Sequence, residues 1–228
     1  DSLSTFAYEE LASGLAGVWA RENTREALFD AMMRKETYAT TGTRISVRFF
    51  GGWDFEEDDV FRPDAVEIGY ERGVPMGGDL PESGEATAPT FMVGGLKDAW
   101  SGNLDRIQIV KGWVDDAGER QERIYDVACA DRAITDEGRC DGPVRNTVDE
   151  ANATWLNNVG EAEMRTVWTD PDFNADHRAV YYARVLEIPT PTWQAYDQEY
   201  FAMEMSGDIP LSHQERAYTS PIWYSPES

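Results

Sequence analysis

Two histidines, a run of alternating oxygen-bearing side chains and one pair of cysteines are the residues of this chain whose types could do chemistry. His177 and His213 lie far apart, and the sequence holds no His-x-His, His-x-x-Glu-His, Gly-x-Ser-x-Gly or phosphate-cradling glycine loop. Hydrolysis near neutral pH needs an activated nucleophile or a metal-bound water, and both need clustered ligands. No such cluster is legible, so each histidine reads as a surface residue. Asp170, Asp172, Asn174 and Asp176 follow the alternating oxygen pattern of a calcium loop. Ala175, however, stands where the turn glycine of such a loop belongs, and Tyr181 replaces its bidentate Glu. Asp170-Pro171 reads more simply as a turn leading into the next strand.

Cys129 and Cys140 flank a polar stretch with no third or fourth ligand nearby. Zinc usually takes four ligands, so a loop-closing disulfide is the expected pairing, and with it an oxidising compartment. The eight tryptophans could line a carbohydrate groove or fill a core, and the core is the reading favoured. Asn152-Ala153-Thr154 matches a glycosylation sequon, which carries meaning only in a eukaryotic secretory context.

These residues must be positioned by a mainly β scaffold. One helix is expected over Asn23–Arg34, with Asn23 as N-cap, Glu26 completing a capping box, and Ala27, Leu28, Ala31 and Met32 on one face. Phe29 and Met33 widen that face. From Arg44 onward the period changes to two, as in Ile45, Val47 and Phe49 alternating with Arg44, Ser46 and Arg48. Comparable runs fall at Ala65–Tyr70, Thr90–Leu96, Asp105–Trp113, Glu122–Ala128, Glu163–Trp168, Arg178–Ile188 and Ala217–Tyr224. About eight short strands at this spacing predict an antiparallel β-sandwich. Pro221 cannot donate to a ladder and marks the last run as an edge strand. Glu56-Glu57-Asp58-Asp59 reads as a solvated loop face.

The 228 residues carry a formal charge of −23, with 41% apolar and 12% aromatic residues. That content supports a packed core, while the charge repels phosphate backbones and anionic lipid, arguing against nucleic-acid and membrane-surface partners. No apolar run approaches the ~20 residues that span a bilayer.

Two stretches carry a resemblance. Gly17 to Ala31 runs on through Arg34-Lys35-Glu36-Thr37-Tyr38-Ala39-Thr40-Thr41-Gly42-Thr43-Arg44-Ile45. The second comprises Val167–Phe173, Tyr181–Pro191 and the ending Glu215-Arg216-Ala217-Tyr218-Thr219-Ser220-Pro221-Ile222-Trp223-Tyr224. Together they resemble the C-terminal third of a family of exported bacterial proteins carrying a domain of unknown function. That family is similar to the PHP (polymerase and histidinol phosphatase) metal-dependent phosphoesterases. The resemblance implies an α/β barrel upstream, which would hold the metal-binding His and Asp motifs and be this chain's partner within one protein. Residues 1–43, with the helix over 23–34, would close that barrel, and residues 44–228 would form the sandwich. It implies a divalent metal in the longer protein, no metal ligand carried over onto this chain, and a periplasmic or secreted location. Thr40, Thr41 and Arg44 match the family pattern and would approach the mouth of the site.

The expected function is therefore the C-terminal, bracing segment of a metal-dependent hydrolase acting on phosphate esters. The alternative is a non-catalytic exported module binding calcium or carbohydrate.

Overall fold

The structure, a computed structural model, describes residues 14–81 and 87–226. The chain is mainly β, and its strand ladders are antiparallel. The larger sheet runs in the order β1 (Leu15–Val18), β2 (Thr37–Thr40), β12 (Arg216–Thr219), β9 (Ala179–Glu187), β6 (Leu104–Val114) and β7 (Arg120–Cys129), with β13 (Ile222–Tyr224) also paired to β9. The smaller sheet runs β4 (Gly73–Pro75), β3 (Ser46–Gly52), β5 (Thr90–Leu96) and β8 (Glu163–Thr169). A short ribbon joins β10 (Thr190–Pro191) to β11 (Ser212–His213).

The period-two pattern explains how the two sheets meet. Val47 and Phe49 of β3 and Phe91 and Val93 of β5 point inward. They pack against Ile107, Ile109, Tyr181, Ala183, Val185 and Ala217 of the larger sheet in one continuous core. Each fully buried side chain of this size contributes about 1.5–3 kcal/mol. The outer face of the smaller sheet is partly covered. There Phe50 and Met92 join Phe55, Val60 and Ile68, brought over by a 3-10 turn at Asp59–Phe61 and by α2 (Ala65–Arg72).

That second helix corrects the strand expected over Ala65–Tyr70. Eight residues suit either period, and packing decides. The helix closes with Ile68 N–H on Asp64 O at 3.0 Å and lays Gly69 so close to the Phe50 ring that a Cβ there would sit 2.6 Å from it. The Tyr70 and Phe50 rings meet edge to face at 5.1 Å. A third helix, α3 (Trp193–Phe201), was not expected, because its aromatic-rich sequence has weak helix propensity. The first helix, α1, spans Arg25–Met33 and is capped by Thr24 rather than Asn23, the Thr24 hydroxyl accepting from Ala27 N–H at 3.3 Å. Nor is 217–224 one edge strand. Pro221 breaks it into β12, which lies inside the sheet between β2 and β9, and β13. Asp59, expected in solvent, is buried against Arg72 at 2.7 Å, whereas Glu56, Glu57 and Asp58 are exposed.

The boundary expected at residue 43 falls between β2 and β3, which belong to different sheets. The described residues before it, 14–43, join the larger sheet, since β2 pairs with β12 through Thr40↔Ala217. Of α1, only Ala31 is fully buried, while Phe29, Met32 and Met33 are 60%, 53% and 66% exposed. Its apolar outer face is bare.

Cys129 and Cys140 form the expected disulfide, with Cα atoms 5.8 Å apart. The loop it closes folds back on β7, where Cys140 N–H donates to the buried Asp126 carboxylate at 2.8 Å. Closing a loop of this size contributes about 3 kcal/mol in the chain-entropy model. Reduction should therefore lower the urea midpoint correspondingly; identical midpoints with and without reductant would show that the bridge is energetically idle.

A buried ion pair ties the layers together. Lys111 Nζ on β6 lies 2.6 Å from Asp170 Oδ2, and Tyr181 of β9 donates to the same oxygen at 2.7 Å. Removing one partner of such a pair leaves an uncompensated buried charge, at about 3–5 kcal/mol. Lys111→Met is expected to lower unfolding free energy by that amount, and Lys111→Met with Asp170→Asn to recover part of it. Equal losses in single and double variants in urea titrations would refute the coupling.

Candidate functional site

At one end of the sandwich, four separate segments bring polar side chains to one place. The turn after β2 supplies Thr41, Thr43 and Arg44; the turn after β5 supplies Asp98 and Ser101. The last residue of β9 is Glu187, and the link from β11 to β12 carries Glu215 beside His213 of β11.

Glu187 is at the centre and fully buried. Ser101 Oγ donates to its Oε2, while Oε1 has no hydrogen-bond partner. The Thr43 hydroxyl lies beside this carboxyl, also buried and also without a partner of normal geometry. Burial pushes the Glu187 carboxyl up to about 7, against the stabilising hydroxyls of Ser101 and Thr43 and with help from the charges of Glu215 and Asp98. It is a carboxyl that exchanges its proton near neutral pH.

Glu215 has the opposite setting. Burial raises it, but hydrogen bonds from His213 and Thr41, with the charges of His213 and Arg216, outweigh that and hold the carboxyl below its ordinary range. His213 Nε2 lies 3.0 Å from Glu215 Oε1, and Thr41 Oγ1 donates to Oε2. Thr41 Oγ1 also accepts from Arg216 N–H at 2.9 Å, which fixes the turn to β12. Asp98 holds the other end of the turn, accepting from Trp100 N–H at 2.9 Å and from Arg44 N–H at 2.8 Å, bonds that lower its pKa. Two carboxyls with pKa values pushed apart, flanked by three hydroxyls and a histidine, can relay protons and hold a polar group. The exposed rim is formed by Gly42, Arg44, His213 and Trp100, the last 89% exposed.

Of the three residues expected at a site mouth, Thr41 and the backbone of Arg44 belong to this cluster. Thr40 is buried, its hydroxyl accepting from Gly42 N–H at 3.4 Å, and it shapes the turn from inside. Glu187, Glu215, Asp98 and Ser101 were not foreseen. A signal existed for Glu187, a lone acid within the apolar run Val185-Leu186-Glu187-Ile188.

The calcium pattern resolves differently. Asp170 gives its oxygens to Lys111, Tyr181 and the Asp172 N–H, the last at 3.0 Å. Asp172 Oδ2 accepts from Tyr125 at 2.6 Å and Arg123 at 2.5 Å, and Asn174 Oδ1 caps Asp176 N–H at 2.9 Å. The Lys111 ammonium pairs with Asp170, and the segment is the turn that Asp170-Pro171 announces. Among the described residues no three His, Cys, Asp or Glu side chains are placed to hold a metal ion. His177 pairs with Asp116 at 2.9 Å. Several tryptophans are core elements: Trp53 packs on Phe173 and Tyr224, and Trp168 on Phe91 and Tyr125.

Residues 2–226 match the family model described as "Protein of unknown function (DUF3604)". The chain belongs to this family. No curated protein and no solved structure matches it. DUF3604 membership covers both the helix-and-turn segment that delivers Thr41 and the final strands that deliver Glu215, so both halves of the cluster lie inside the family match. No helix among the described residues of this DUF3604 chain is long and apolar enough to cross a membrane.

The raised Glu187 value has a stability consequence. The folded state keeps a proton that the unfolded chain, with the ordinary value of 4.5, gives up. The contribution is complete below about pH 4.5 and is lost as pH rises to about 7. Glu187→Gln keeps the neutral shape, so its stability relative to wild type should grow by roughly 3 kcal/mol between pH 5 and pH 8. Denaturant titrations at both pH values check this, and parallel pH profiles for the two proteins would exclude the assignment.

Proposed function

We propose that this DUF3604 chain is the segment that completes a metal-dependent hydrolase of the phosphoesterase type, without supplying its metal ligands. The reading is supported chiefly by the bare apolar face of α1, where Phe29, Met32 and Met33 lie open to solvent. Exposed apolar side chains grouped on one helix suit a docking face. The helix feeds β2, four residues long, which ends directly in the Thr41–Arg44 turn. An upstream domain seated on α1 would thus stand beside the Glu187–Glu215 cluster.

In that arrangement a divalent metal, which residues of the upstream domain would hold, would supply the activation of water. The residues of this chain would do three things. Arg44 and the Thr41–Thr43 turn orient an ester oxygen; Glu187 takes or returns a proton at its buried carboxyl; Glu215 keeps Thr41 and His213 in register. The oxidised Cys129–Cys140 pair fits an exported, periplasmic or secreted setting.

The decisive measurement compares this chain alone with the same chain joined to the residues that precede it in its protein. The 228-residue chain should not hydrolyse p-nitrophenyl phosphate in the presence of Mn²⁺ or Zn²⁺. The longer protein should do so with stoichiometric bound metal, and Glu187→Gln should lower its kcat with little change in KM. Chelator-sensitive turnover by the 228-residue chain alone would sink the proposal, as would a longer protein that neither holds a transition metal nor turns over.

A further inference from the structure

We propose that the outer face of the smaller sheet around Gly94 binds an organic anion, with its charged head between Arg48 and Arg165 and its apolar body over Val60, Met92 and Leu96. The register of three neighbouring strands creates the site. Gly94 of β5 pairs with Arg48 of β3 on one side and with Arg165 of β8 on the other. Directly opposed residues of antiparallel strands share a face, so two guanidinium-bearing side chains flank a position with no side chain. A cavity of about 260 Å³ opens there, floored by apolar groups and rimmed by Arg48, Arg165 and Arg62. It adjoins a second cavity of about 750 Å³, with Trp19 and Arg48 lining both.

The glycine is the telling residue. In a strand interior, glycine is destabilising relative to Ala and marks a bulge, a close backbone approach or a ligand. The next residue, Gly95, has a packing reason, since a Cβ there would meet Val185 at 3.0 Å. Gly94 has none: a Cβ would meet only Arg165 Cγ at 3.6 Å and Met164 O at 4.0 Å, both ordinary contacts. No bulge interrupts the ladder at this position. The absent side chain keeps the cavity open.

The arginines retain binding capacity. Arg165 gives Nε and one terminal nitrogen to Glu163 Oε1, and its other terminal nitrogen reaches Val60 O only at 3.4 Å. Arg48 lies over the Trp19 ring at 3.5 Å and uses a single nitrogen for Tyr70 at 3.0 Å and Glu36 at 3.5 Å. Its remaining N–H groups are unused by either partner, and a guanidinium fork carries five donors suited to carboxylate or phosphate oxygens. The cavity volume suits a head group with an aromatic ring or short acyl body. None of these residues belongs to the Glu187 cluster, and the inference does not rest on the hydrolase reading.

The test titrates the 228-residue chain with phenyl phosphate, benzoate, inorganic phosphate and phenol, by calorimetry and by tryptophan emission, which Trp19 beneath Arg48 should report. Phenyl phosphate or benzoate should bind roughly tenfold or more tightly than inorganic phosphate or phenol, because only they supply both head and body. Gly94→Leu should abolish that binding by filling the cavity, and Arg165→Gln should weaken it roughly tenfold. Absence of binding, equal binding of all four probes, or unchanged affinity in folded Arg165→Gln would overturn the proposal. If Gly94→Leu fails to fold, Arg165→Gln and Arg48→Gln decide it, each titrated where circular dichroism shows it folded, with a roughly tenfold loss expected and an unchanged affinity overturning the proposal.

Discussion

A lysine ammonium and an aspartate carboxylate buried together hold the two layers of this protein in register. Lys111 and Tyr181 are cross-strand partners on β6 and β9, and both reach Asp170 at the exit of β8. Asp170 in turn donates its N–H to Pro89 O at 3.1 Å, at the entrance of β5. One aspartate, through its carboxylate and its backbone N–H, thus joins the centre of the larger sheet to two strands of the smaller. Apolar packing alone would tolerate a slip between sheets, because methyl groups are interchangeable partners. A buried charge has one partner and one position, since any other leaves it unpaired at a cost of several kcal/mol. The same constraint extends outward: Lys111 donates to Asp172 O at 2.8 Å, and Tyr125 donates to Asp172 at 2.6 Å. Burial and the neighbouring acids push both tyrosine hydroxyls far above their ordinary range, so they remain donors.

With the layers fixed, the ends of the strands become fixed points for polar groups. Glu187 closes β9, and its backbone is held by Glu215 O at 2.8 Å and by Gln214 at 2.7 Å. Its carboxyl is therefore presented to the Thr41–Thr43 turn by rigid strands rather than by loop contacts. Preorganisation of this kind lets a carboxyl stay buried and incompletely satisfied, an arrangement that would relax away in a mobile loop. The arginine-flanked opening at Gly94 is a product of the same rigidity, because three strands in register place its walls.

Much of the scaffold was legible in the residues. Alternation announced β3, short runs announced β5 and β8, and the long runs announced β6, β7 and β9 to within a residue or two of their observed ends. Two cysteines without further ligands announced the disulfide. Ala65–Tyr70 misled because Val66, Ile68 and Tyr70 alternate as a strand would, and only the Phe50 ring beneath Gly69 selects the helix. Asp170–Asp176 carries the acidic spacing of a calcium loop as well as of a turn, and the turn favoured by its Asp170-Pro171 start is the one observed. What separates them is Lys111, some sixty residues away in the chain and adjacent only in the fold.

The sequence by itself determined what local physics controls: the β character, the α1 segment, the breaks at proline and glycine, the charge, and family membership through its matched residues. Only the tertiary structure decided which polar groups share a neighbourhood. Thr41, Ser101, Glu187 and Glu215 come from four distant segments, as do Arg48, Gly94 and Arg165 from three. Hydrophobic periodicity depends on a residue and its near neighbours, and can be read along the chain. A raised carboxyl pKa or an open space over a glycine depends on desolvation and on atoms from remote strands, which exist as neighbours only after the sheets have paired.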